Sequence, residues 1–222
     1  MILPFDLSNA FKVSNSLNAF VKDDIVIIDN FYENYDTLYD ILTNMAIPNF
    51  KSILNENNLN FKNYYDCRSI IQHRWSERQS NDTKETILKI AKDIFKYDYA
   101  YESKDYDFNY FKHINLPKNN DIQMEPHIDS DIGAIIYLDK ISSGGTALYP
   151  TLNSPLDNKH ANLMLNVNGI EKNIIPAKPN RLVLFPAQQY HGGYIEDHSK
   201  YLNDWRINQV FFLYKKELDY EK

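Results

Sequence analysis

Apolar positions along the chain follow two different periods, and the change comes near Phe108. Before it, Ile25-Val26-Ile27-Ile28 is a short apolar run closed by Asp29-Asn30, which predicts a strand. Residues 33–46 carry Leu38, Ile41, Leu42 and Met45 at helical spacing and are stopped by Pro48, which predicts a helix. Residues 49–80 are polar, rich in Asn and Tyr, and predict loop. A second helix is predicted near 83–98. Asp82 is its expected cap, with Glu85 in the reciprocal position of a capping box. Its stripe of Ile87, Ile90, Ala91, Ile94 and Phe95 is expected to pack on a sheet.

From Phe108 onward the period is two, or short apolar runs. These predict strands at 107–115, 132–138, 145–149, 161–167, 170–175, 181–185 and 205–214. Asn168-Gly169 between two of them predicts a two-residue hairpin. All six glycines fall between Gly133 and Gly193, so the tight turns are expected in this half. The expected fold class is mainly β with flanking helices (α+β), built on an antiparallel barrel or sandwich. One domain is expected over residues 1–222, with helical support in 1–106 and the β core in 107–214.

Composition narrows the function. At 222 residues and 43% hydrophobic positions the chain is long enough for one good core, and disorder is excluded. The formal charge is -6, and Lys and Arg are dispersed apart from Lys215-Lys216, so a nucleic-acid partner is not expected. The single cysteine, Cys67, excludes an intrachain disulfide and suits a reducing compartment. No apolar stretch reaches membrane-spanning length, and no basic region leads into an apolar run at the N-terminus. A soluble cytoplasmic protein is the expectation.

His127-Ile128-Asp129 carries the candidate chemistry. On an extended segment residues i and i+2 share a side, so His127 and Asp129 can reach one ion while Ile128 turns away into packing. His191 follows the apolar run Arg181 to Pro186, a strand that would carry it to the mouth of the barrel. Two imidazoles and one carboxylate, with three open positions, make the facial arrangement of non-haem Fe(II) oxygenases. Taken singly, each has a plainer reading: a surface histidine beside an acid, and a turn histidine before Gly192-Gly193. Arg206 opens the apolar strand Ile207 to Leu213, where an inward cation is costly without an anion. A structural salt bridge would serve, but with the three ligands in place an oxoacid carboxylate is the better partner, since guanidinium can grip it bidentately.

The segment from Asn109 to Phe212 resembles the double-stranded β-helix core of Fe(II)/2-oxoglutarate-dependent dioxygenases, the prolyl-hydroxylase-like branch in particular. The matching pieces are Pro126 to Ser130, Ile135 to Leu138 with Gly144 to Tyr149, Pro176 to His191, and Arg206. The segment from Asn109 to Phe212 spans a little under half the chain, and the N-terminal half fits only as the helical support such enzymes carry. The resemblance implies Fe(II) held by His127, Asp129 and His191, with dioxygen as co-substrate. It also implies 2-oxoglutarate held at its distal carboxylate by Arg206, where this branch often uses lysine. Tyr110 or Tyr137, with Thr146, is expected to help hold 2-oxoglutarate, and Asn109 and Gln123 to line the pocket. The implied reaction is hydroxylation of a peptidyl or free amino-acid side chain with release of succinate and carbon dioxide. The implied partner is a small molecule or peptide. Two alternatives stay open at this point: a non-catalytic cupin-like or carbohydrate-binding barrel, and a metal-dependent oxygenase that does not use 2-oxoglutarate.

Overall fold

Strand pairing organises the chain, and every pair among the described residues is antiparallel. The computed structural model describes residues 7–43, 68–73, 81–101, 108–113, 116–117, 122–153 and 164–216. The helices are α1 (Leu7–Ala10), α2 (Tyr35–Ile41) and α3 (Asn81–Phe95), with a 3-10 helix at His198–Leu202. The early strands are β1 (Ala19–Lys22), β2 (Ile25–Ile28), β3 (Arg68–His73), β4 (Tyr99–Tyr101) and β5 (Phe108–His113). Then come β6 (Ile122–Met124), β7 (Ile132–Tyr137), β8 (Gly145–Leu148) and β9 (Met164–Asn166). The last four are β10 (Asn173–Pro176), β11 (Arg181–Pro186), β12 (His191–Tyr194) and β13 (Arg206–Lys215).

A large sheet runs β1-β2-β11-β7-β13-β5-β3, with β4 also on β13; a small sheet runs β10-β8-β12, and β6 pairs with β9. The period-two pattern gives the large sheet two different faces. Ala134 and Ile136 of β7 join Phe211 and Leu213 of β13 in a core closed by Leu38, Leu42, Ile87 and Ala91 from the helical side. On the other face Gly133, Ile135, Arg206, Asn208, Val210 and Phe212 line a cavity. Thr146 of β8 and His191, Gly192 and Gly193 of β12 line it too, so the small sheet faces the large one across it.

Several elements differ from expectation. Arg68–His73 is a strand inside the segment read as loop; the rest of 49–80 lies outside the described residues apart from that strand. Strands β1 to β4 join the large sheet from the segment before residue 107, so that segment is not helical support alone. Asp82 lies within the first turn of α3 instead of capping it, because the helix already begins at Asn81. The same helix stops at Phe95 because Lys96 turns left-handed at φ 63°. A turn does form at Asn168-Gly169, with Ile170 N–H donating to the Val167 carbonyl at 3.2 Å. It does not make a hairpin: β9 pairs with β6 and β10 with β8. Ile170 packs with Val167, Ala147 and Tyr149, which carries the chain across to the edge of β8. Among the described residues no helix is long and apolar enough to cross a membrane.

Candidate metal centre

The extended segment between β6 and β7 carries His127 and Asp129, and His191 opens β12. Backbone bonds hold the two pieces together. The N–H of each histidine donates to the carbonyl of the other at 2.9 Å, and Asp129 N–H donates to the Ala187 carbonyl at 3.0 Å. The ligating atoms of His127, Asp129 and His191 all lie within 4.8 Å of one another, close enough to hold a metal ion. Asp129 Oδ2 stands 3.2 Å from His127 Nε2 and 3.3 Å from His191 Nε2. Ile128 turns away from the site as the period requires, but to solvent instead of packing, at 49% exposure.

Each imidazole is oriented through its other nitrogen. His127 Nδ1 lies 2.7 Å from the Glu125 carbonyl and His191 Nδ1 lies 2.9 Å from the Gln189 carbonyl. A carbonyl only accepts, so the proton belongs on Nδ1 in both rings and the Nε2 lone pairs are free for a metal. Burial works against the Asp129 carboxylate, yet the His127 and His191 imidazoles beside it outweigh that and hold the group well below the usual range. Partial desolvation disfavours the His127 imidazolium, but the Asp129 carboxylate prevails and raises its pKa above the ordinary value. This donor set of two nitrogens and one ionised oxygen suits a divalent transition metal.

The three groups open onto a cavity of about 370 Å³ with mostly apolar walls, among them Ile135, Phe185, Val210 and Phe212. Arg206 lines the same cavity and is 4% exposed. Its Nη2 donates to the Gly145 carbonyl at 2.9 Å, and Nη1 donates to the Asn208 amide oxygen at 2.7 Å when that amide is oriented to satisfy both of its ends. Among the described residues no carboxylate lies within ion-pair distance of Arg206. A buried guanidinium held by neutral acceptors, in the lining of an open cavity, fits an anionic ligand. Asn109, also in the lining, has a buried Oδ1 with no hydrogen-bond partner among the described residues.

The other expected contacts are placed differently. Thr146 lines the cavity, whereas Tyr137 stands behind it, fully buried, its hydroxyl 2.7 Å from Thr146 Oγ1. Burial pushes the Tyr137 hydroxyl up to about 12, so it remains a neutral hydrogen-bonding group. Tyr110 lies in β5 between the lining residues Asn109 and Phe111, but its side chain is outside the described residues. Gln123 does not reach the cavity. It is spent on Ile195, accepting from its N–H at 2.7 Å and donating to its carbonyl at 3.0 Å.

Sequence reasoning passed over Asn208 and Gly193. Asn208 was findable, since it is two residues after Arg206 and must share its face. Gly193 was not, because its value lies in what a side chain would meet. A Cβ there would run into the Met124 thioether and stand 3.3 Å from Arg206 Nη1.

No family model matches the chain, and no curated protein matches it by sequence. Among solved structures it is similar to HygX from Streptomyces hygroscopicus with nickel, 2-oxoglutarate and hygromycin B bound. That match has 11% identity and a TM-score of 0.48, covering 90% of this chain and 88% of that one. It is similar to the epimerase SnoN in complex with Fe3+, alpha ketoglutarate and nogalamycin RO, at 10% identity and TM-score 0.47, over 90% and 87% of the two chains. A Shewanella oneidensis protein described as an oxygenase matches at 11% identity and TM-score 0.50, over 86% of this chain and 82% of that one. At such identities the likeness is one of architecture, and the chain shares its fold with the Shewanella oneidensis protein.

Proposed function

We propose that this chain is a non-haem Fe(II)- and 2-oxoglutarate-dependent dioxygenase of the prolyl-hydroxylase-like branch. It hydroxylates a peptidyl or free amino-acid side chain and releases succinate and carbon dioxide. In this reading the chain is one domain, with a double-stranded β-helix core over residues 107–214, and its lone cysteine supports a cytoplasmic setting.

One observation carries the proposal: the His127, Asp129 and His191 donors open onto the same cavity as a buried arginine that forms no ion pair with a carboxylate among the described residues. Register gives the separation. On the β8–β12 ladder His191 pairs with Leu148, and the Gly145 that anchors Arg206 pairs with Tyr194, three residues along (194 minus 191). At about 3.3 Å per residue that is roughly 10 Å between backbones. A five-carbon oxoacid chelated at one end and gripped at the other suits such a span. A non-catalytic barrel has no use for this combination.

When bound, Fe(II) with 2-oxoglutarate and dioxygen supplies the oxidising power for C–H hydroxylation. The protein's own groups position and protect. His127, Asp129 and His191 would occupy one face of the metal and leave the cavity side open. Arg206, steadied by Gly145 and Asn208, would fix the distal carboxylate of 2-oxoglutarate. Tyr137 holds the Thr146 hydroxyl in place beside it. The apolar walls exclude water from the reacting centre. No protein nucleophile is needed.

A succinate-release screen tests this reading. Protein with Fe(II), 2-oxoglutarate and dioxygen should release succinate faster with one class among peptide, amino-acid, sugar and nucleotide pools. Turnover that persists without 2-oxoglutarate would contradict the co-substrate, and folded, metal-loaded protein that consumes no 2-oxoglutarate with any pool would contradict the activity.

A further inference from the structure

Directly across the sheet from Arg206 lies a carboxylate that the mechanism above does not use. Tyr137 pairs with Asn208, and Leu138 N–H donates to the Ile207 carbonyl at 2.8 Å. Continued by one residue, that register puts Asp139 opposite Arg206, on the same face. Asp139 is 1% exposed. Its Oδ2 accepts from Ser142 N–H at 3.0 Å and from the Tyr201 hydroxyl at 2.9 Å, while its Oδ1 is buried with no hydrogen-bond partner among the described residues. The two charges face each other without an ion pair, since Arg206 is turned to Gly145 and Asn208.

The surroundings leave Asp139 as the group most open to a change of charge. Tyr201 on the 3-10 helix, Tyr35 and Tyr39 on α2, and Tyr137 beside it are all held neutral, each hydroxyl raised by burial. The His113–His198 pair, hydrogen-bonded at 2.7 Å, joins β5 to the same 3-10 helix, and the charged neighbours Lys140 and Asp36 are paired with each other at 3.0 Å on the exposed side. Burial pushes the Asp139 carboxyl up, and Arg206 is the first influence pulling it back.

Resting on the reading of Arg206 as the seat of the 2-oxoglutarate carboxylate, we infer that Asp139 is the resident counter-charge of Arg206 and takes up a proton when that carboxylate binds. One cation facing one carboxylate is near balance in a sealed, poorly hydrated place. A second carboxylate on the same guanidinium leaves an uncompensated negative charge there, which is costly. A proton on Asp139 restores the balance, and Oδ1 can receive it without breaking either bond to Oδ2. The balance is simple: the proton comes from solvent and returns when the ligand leaves. Binding and proton uptake are then linked, so affinity falls as pH rises through the window between the free and bound titrations of Asp139. The limit is about tenfold per pH unit for one full proton.

The test is anaerobic calorimetry of 2-oxoglutarate into Mn(II)-loaded protein, from pH 6 to 9, in two buffers of different ionisation enthalpy. Wild type should take up a fraction of a proton per ligand bound, and its affinity should fall with pH. Asp139→Asn keeps acceptors for Ser142 and Tyr201, and should take up less proton and lose that part of the pH slope. Tyr201→Phe removes a donor to the ionised carboxylate and should move the window to higher pH. Equal proton uptake in wild type and D139N, or none in wild type across the range, would overturn the role of Asp139. Wild-type affinity in Arg206→Ala would instead overturn the co-substrate site itself, so the two failures are told apart.

Discussion

The imidazoles of His127 and His191 are each pinned by a backbone carbonyl on the nitrogen facing away from the cavity. Side-chain identity alone does not create such a site; the tautomer and the aim do. Arg206 shows the same logic in that cavity, because Gly145 and Asn208 fix its plane without neutralising it. Arg206→Ala should therefore leave metal affinity in place and weaken 2-oxoglutarate binding by roughly 2–5 kcal/mol. That is about thirtyfold or more in the dissociation constant. Arg206→Lys should recover only part of it, since an amine lacks the bidentate fork. Anaerobic calorimetry of metal-loaded variants reads both, and near wild-type affinity in folded R206A would make Arg206 a structural residue only. At this scale the HxD pair and the inward arginine were legible, because each follows from strand period and the cost of a buried charge. Asp139 was not. Its importance comes from a cross-strand neighbour 67 residues away (206 minus 139), which local pattern does not encode.

Strand ends, more than strand middles, set the shape of the cavity. At the β7–β8 turn Gly144 sits at φ 92°, and a Cβ there would strike the Tyr194 carbonyl, so only glycine brings β8 this close to the end of β12. Gly193 has a different value: with no side chain there, the Met124 thioether and the Arg206 guanidinium can both lie close against its backbone. Gly193→Ala should cost about 1–3 kcal/mol in 2-oxoglutarate binding or local packing. It should leave Fe(II) stoichiometry unchanged, and equal 2-oxoglutarate affinity in the variant would refute that role for the glycine. At the opposite edge, Asp29 after β2 accepts from Arg181 Nε at 2.7 Å and from Lys178 Nζ at 2.8 Å, clasping β2 to β11. The Arg181 guanidinium, with Lys178, holds the Asp29 carboxyl at about 2 against burial. A depressed folded value means the stabilisation is present above the unfolded pKa, near 3.9, and is lost as pH falls through about 2. Asp29→Asn should lower the melting temperature by about 2–4 °C at pH 7, a loss of about 1 kcal/mol for a partly exposed pair. That gap should close toward pH 2, and a gap constant with pH would contradict the assignment. Element type was legible where the period was long, as in β7, β11, β13 and α3. Three-residue strands such as β6 carry too little pattern, and β10 pairs with β8, a strand more than twenty residues away that its own turn does not point to.

At the scale of the molecule, the large sheet separates two tasks. One face, with Ile87 and Ala91 of α3 and Leu38 of α2, is dense apolar core. The other lines a mostly apolar cavity that also holds the charged Asp129 and Arg206. A core on one side lets the opposite face keep polar groups that cost stability, such as Arg206 and Asp139, because apolar burial elsewhere offsets them. The broad class, mainly β with helices on one side, was legible from the change of period near Phe108. The contribution of β1 to β4 was not, since sheet membership depends on partners distant in the chain. The central claim is that His127, Asp129 and His191 hold one metal ion, and anaerobic equilibrium dialysis against Fe(II) tests it most directly. Wild type should retain one ion per chain, with 2-oxoglutarate binding in equal amount only when the ion is present, and folded Asp129→Ala should lose both. No retained ion in wild type, or undiminished retention in Asp129→Ala, would contradict it.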